Sequence, residues 1–187
     1  MRGLILSGIP ELLLLAIVFI PGSGNEYLSV LAAAMIHESG HIITAALLGV
    51  KMKLCKTGIA GVSLKYDFSL VSPIKEATVC LAGPVIGVIV FLLGYKNNSV
   101  SYFAAASLGL TLFNLMPISF LDGGCALSAI LSVFLSPNTV WRICRILSII
   151  FTILLWCAAV MLLIQMNGDI SVMAAAVYLL YRLFSEC

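Results

Sequence analysis

The stretch V-S-Y-F-A-A-A-S-L-G-L-T-L-F-N-L-M-P-I-S-F-L-D-G-G-C-A-L-S-A-I-L-S-V-F-L, residues 100–135, decides how this chain folds. It carries a single charged residue, yet it is too long for one membrane crossing, for which about 20 residues suffice. Near its middle, N-L-M-P-I-S-F-L-D-G-G at 114–124 sets a proline, which has no backbone donor, ahead of two glycines. We read the stretch as one membrane segment whose helix is broken. Irregular backbone at that depth persists only where it is buried in protein or lines a wet cavity, so the break marks a site.

Outward from the break, apolar runs predict further membrane segments at about 3–20, 27–50, 76–95, 139–164 and 168–185. The composition agrees: 62% of the 187 residues are hydrophobic and 10% charged, and the mean hydropathy is +1.17. That leaves too little polar surface to cover a soluble domain. The expectation is one domain over 1–187, an all-α polytopic bundle of six transmembrane segments with the fourth broken. A net charge of +2, dispersed through short loops, excludes a nucleic-acid groove. The six cysteines, at 55, 80, 125, 144, 157 and 187, form no CxxC pair and lie mostly in apolar runs, which implies no disulfide framework. Arg2 and Gly22-Ser23-Gly24 imitate a signal peptide, but Glu11 and Pro21 favour a retained first membrane segment.

Basic residues set the orientation, because short loops rich in Lys and Arg stay in the cytoplasm. Six crossings with both termini cytoplasmic put Arg2, Lys51, Lys53, Lys56, Lys65, Lys75, Arg142, Arg145 and Arg182 inside and only Lys96 outside. Seven crossings would move Arg142, Arg145 and Arg182 to the outer face. Within the 51–75 loop, Val62-Ser63-Leu64-Lys65-Tyr66-Asp67-Phe68 alternates strictly between apolar and polar, and Gly58 and Gly61 precede it. A small interfacial β-hairpin is predicted there.

The second segment contains A-M-I-H-E-S-G-H-I-I at 34–43, with both histidines of the chain. On a helix, His37 and His41 lie about 40° apart around the axis and about 6 Å apart along it, so both imidazoles project from one stripe. That is the spacing of a two-point metal grip. Glu38 points to one side, where it can reach a water without coordinating, and it would act as general base. A catalytic zinc typically has three protein ligands. Asp122, a carboxylate deep in the broken segment, is the candidate for the third, with Cys125 as a rival.

H-E-S-G-H at 37–41, L-A-G-P at 81–84 and N-L-M-P-I-S-F-L-D-G-G at 114–124, in that order, resemble the site-2 protease family of intramembrane zinc metalloproteases. The resemblance covers a core of about 27–136, with C-terminal helices at about 139–185. It implies one Zn2+ per chain held by His37, His41 and Asp122, with Glu38 activating water and Asn114 near the substrate backbone or oxyanion. It also implies a membrane-protein substrate, residence in the lipid bilayer of a bacterial cytoplasmic membrane, and room for an inhibitory membrane partner. The compact form looks most like the branch that processes a sporulation sigma-factor precursor. Departures are the lack of a stretch long enough for a PDZ module, the lack of a nucleotide-sensing CBS domain, and Val85-Ile86-Gly87 where many members carry an amide residue.

A competing expectation is a proton- or metal-ion-coupled transporter in which His37, Glu38, His41 and Asp122 relay the ion. Such proteins show internally repeated halves, and neither the H-E-x-x-H nor the P-x-x-x-x-D pattern recurs here. For the strand at 62–68, substrate capture by strand addition stands beside a plain interfacial hairpin.

Overall fold

A computed structural model describes residues 3–6, 24–56, 62–96 and 99–165. The elements run β1 (Gly3–Leu6), α1 (Gly24–Leu47), β2 (Lys51–Lys56), β3 (Val62–Asp67), α2 (Pro73–Gly94), β4 (Tyr95–Lys96), β5 (Ser99–Val100), α3 (Tyr102–Asn114), α4 (Asp122–Phe134) and α5 (Pro137–Gln165). Local chemistry sets the helix ends. Gly49, at φ 69°, ends α1, where Val50 N bonds Ala45 O and Gly49 N bonds Ala46 O in a Schellman arrangement. The Ser72 hydroxyl caps α2 with Pro73 in its first turn, and Ser101 caps α3 through Ala104 N.

Among the described residues, three helices are long and apolar enough to cross a membrane: Leu28–Leu47 within α1, α2, and Pro137–Ala158 within α5. Exposed Leu28, Met35 and Leu47 on α1, and Ile146, Ile150 and Ile153 on α5, turn outward, as lipid-facing side chains do. The chain is an integral membrane protein. The predicted fourth segment is broken as expected, α3 and α4 being two short apolar helices on either side of residues 115–121. The segment predicted at about 168–185 lies outside the described residues, and of the one predicted at about 3–20 only Gly3–Leu6 is described.

Those few positions correct the predicted start of the first membrane segment. Gly3–Leu6 is a strand, not the start of a helix, and the interfacial hairpin is part of a three-stranded antiparallel sheet in the order β1-β3-β2. Leu4 and Met52 flank Tyr66 in its register. The strand expected to offer an edge to substrate is therefore the central one. The outer edges belong to β1 and β2, and β4 and β5 form a second, two-stranded sheet.

The bundle is centred on α2, which packs against α1, α3 and α4. α1 also presents small residues, Gly40 among them. The close approaches use small residues on both: a Cβ on Gly40 would lie 2.9 Å from Ala82 O, and one on Gly87 would strike Thr111 Oγ1. A second correction concerns cysteine. Cys80 of α2 and Cys125 of α4 are joined by a disulfide, with their Cα atoms 6.0 Å apart. Ala45, Val50, Tyr66, Phe68, Val79 and Ala126 share one buried cluster with them.

Candidate metal centre

His37 and His41 sit one turn apart on α1, and Asp122 is the first residue of α4. Asp122 Oδ2 lies 2.9 Å from His37 Nε2 and 3.2 Å from His41 Nε2, and the two Nε2 atoms are 3.3 Å apart. All three side chains are buried. Four ligands arranged tetrahedrally about a zinc at roughly 2.05 Å would stand about 3.3 Å from one another, so the observed triangle is close to the face of such a site.

Two further observations test the fit. His41 Nδ1 donates to the Val79 carbonyl at 2.7 Å, which fixes the tautomer and leaves the Nε2 lone pair directed at the centre. Val79 sits in α2 just before the turn that Pro84, lacking an N–H, cannot close on the Cys80 carbonyl. A Cβ built on Gly83 would overlap His41 Nε2 and lie 2.7 Å from His37 Nε2. Glycine at 83 thus keeps open the space between the two nitrogens where an ion would be held. Donor set, triangle and cradle all suit a metal such as zinc, and the His37, His41 and Asp122 cluster can bind one.

The D-G-G sequence explains how Asp122 gets there. A Cβ on Gly123 would strike the Leu115 carbonyl, and one on Gly124 would strike that of Ile118. Glycine at both positions lets the 115–121 segment fold directly over the start of α4. Ser148 of α5 then holds that segment, accepting from Ser119 N at 2.9 Å and pairing with Ser119 Oγ at 2.7 Å. A carboxylate at the start of α4 also suits the positive end of that helix.

The chain aligns with the site-2 protease from Methanocaldococcus jannaschii over 91% of its length and 87% of that chain, at a TM-score of 0.59 and 20% sequence identity. It has the fold of a site-2 protease. No family model matches the sequence, and comparison with curated proteins gives no match.

Within the site-2 protease fold, the other residues singled out from sequence are placed as follows. Glu38 is buried between the two histidines on α1 and interacts electrostatically with His41 and Asp122. Asn114, at the end of α3, is buried and donates through Nδ2 to the Leu110 carbonyl at 3.1 Å. Cys125 is engaged with Cys80 and stands outside the triangle. Sequence reasoning missed the Val79 carbonyl and the spatial role of Gly83, although L-A-G-P was visible as a motif. It also missed Tyr66, which is fully buried and whose phenol burial pushes up, with the Glu38 and Asp122 charges adding to the effect.

Proposed function

We propose that the chain is an intramembrane zinc metalloprotease of the site-2 type. It hydrolyses a peptide bond within or beside a transmembrane segment of a membrane-tethered substrate, such as the precursor of a regulatory factor. One observation carries the reading: three buried donor atoms from α1 and α4 converge with edges of 2.9 to 3.3 Å, with the Glu38 carboxylate buried beside them.

His37, His41 and Asp122 would hold one zinc. When bound, zinc supplies a Lewis acid that acidifies water and polarises a carbonyl. Glu38 accepts a proton from the attacking water at its carboxylate and later returns it to the leaving amine. Asn114 spends one Nδ2 hydrogen on Leu110 and has a second to donate to the substrate oxygen. Gly83 leaves free the space beside the two Nε2 atoms that a methyl group would take.

A transmembrane substrate reaches this centre only after its helix unwinds, because its backbone groups are otherwise bonded internally. The freed groups would pair with an outer edge of the sheet, which β3, flanked on both sides, does not provide. Six crossings, cytoplasmic termini and a bacterial cytoplasmic membrane complete the reading, with the sporulation branch as the nearest type. The transporter alternative gains no support from the fold.

The test is cleavage of candidate membrane substrates by purified protein in liposomes, compared with Glu38→Gln. The expected result is a fragment from the unaltered protein and none from the variant, with one zinc bound to each. Lack of zinc in protein purified and then zinc-supplemented would overturn the reading.

A further inference from the structure

Four buried side-chain atoms have no hydrogen-bond partner among the described residues: His37 Nδ1, Tyr66 Oη, Thr111 Oγ1 and Thr152 Oγ1. His37 belongs to the centre, Thr111 lies against Gly87, and Thr152 follows Ser148 by one turn on the α5 face that holds the break. Tyr66 has no such explanation. It is fully buried on the central strand of the sheet, and burying a hydroxyl without a partner is unfavourable.

The neighbours of Tyr66 show where its ring lies. Its cluster includes Ala45, one turn beyond His41, Val79, whose carbonyl holds His41, and Cys125, nearly one turn beyond Asp122. Residues of both helices that carry the candidate ligands, and of the helix that orients His41, thus share one buried cluster with this ring. Phe68, on the same face of the chain, stacks against it with centroids 6.0 Å apart. A phenylalanine at 66 would fill the same volume, so packing alone does not call for the hydroxyl.

We propose that Tyr66 is a second hydrogen-bond donor to the substrate carbonyl being hydrolysed, its phenolic O–H meeting the oxygen on which negative charge develops. This rests on the protease reading. Burial favours the protonated phenol, the form that donates. Its strand is flanked on both sides by paired backbone at Leu4 and Met52, which fixes the donor before substrate arrives, as oxyanion stabilisation requires.

The test uses the full chain in proteoliposomes, comparing the unaltered protein with Tyr66→Phe and with Phe68→Leu, which removes the stacked neighbour and keeps the hydroxyl. Three quantities are read: zinc per chain, kcat and KM on a cleaved membrane substrate, and affinity for a peptide hydroxamate, whose carbonyl occupies the same position. Tyr66→Phe should keep its zinc and its KM, lower kcat by about 100-fold and weaken hydroxamate binding by about 10-fold, with Phe68→Leu unchanged in all three. Unchanged kcat and hydroxamate affinity in Tyr66→Phe, loss of its zinc, or an equal loss in Phe68→Leu would each overturn the donor role. If the unaltered protein binds neither zinc nor hydroxamate, the metalloprotease reading fails and this one with it; if it binds both and Tyr66→Phe behaves like the unaltered protein, this one fails alone.

Discussion

Replacing Gly83 by alanine sets two effects against each other, and the geometry decides between them. At an unobstructed helical position, Gly→Ala stabilises by about 0.4–1 kcal/mol because it restricts the unfolded chain. At 83 the added methyl would overlap His41 Nε2 and lie 2.7 Å from His37 Nε2. For ordinary contact at 3.4 Å, His37 alone would retreat about 0.7 Å, several times the roughly 0.2 Å tolerance of a metal–ligand bond. His41 would have to move further, against its bond to Val79. Removing an outer partner of a ligand costs metal affinity up to about 100-fold, and displacing two ligands should cost at least that, about 2.8 kcal/mol. Zinc would be measured by mass spectrometry and by chelator competition on purified Gly83→Ala, with Gly109→Ala as control, since nothing lies within 4 Å of a Cβ there. The control should keep its zinc and cleave normally. Stoichiometric zinc and full cleavage in Gly83→Ala would refute the cradle.

Two more expectations concern the support of the break. Ser148→Ala removes the acceptor for Ser119 N and should destabilise the detergent-solubilised protein by about 1–3 kcal/mol, read as a lowered melting temperature, and weaken zinc binding as well; an unchanged melt would show that the 115–121 segment does not need this anchor. Maleimide labelling of denatured protein should gain two reactive thiols on reduction, and Cys80→Ser with Cys125→Ser should abolish that gain; equal labelling with and without reductant would contradict the cross-link.

The parts of the fold written as long apolar runs were legible from sequence. The segments expected at 27–50, 76–95 and 139–164 appear as Gly24–Leu47, Pro73–Gly94 and Pro137–Gln165. The break at 114–124 was legible too, because Pro117 and the paired glycines act locally on the backbone. Gly3–Leu6 was not, since a short apolar run fits strand and helix equally well and its pairing partner lies some 60 residues away in β3. Lys51–Leu54 alternates as Val62–Asp67 does, but Cys55 and Lys56 break the pattern, so that strand is less legible. The approach of His37, His41 and Asp122 to one another was anticipated from residue chemistry. The Cys80–Cys125 link, the need for glycine at 83 and the isolated phenol of Tyr66 depend on how helices cross, which no local pattern records.

His37 and Asp122 are separated by 85 residues. A ribosome adding roughly 5–20 residues each second exposes the imidazole pair about 4 to 17 s before the carboxylate follows. During that interval α1 offers an ion only two nitrogens, a weak and exchangeable perch. On the proposed metalloprotease reading, loading would fall late in biogenesis, once α4 has entered the bilayer, and a half-inserted chain would carry no hydrolytic hazard to its neighbours.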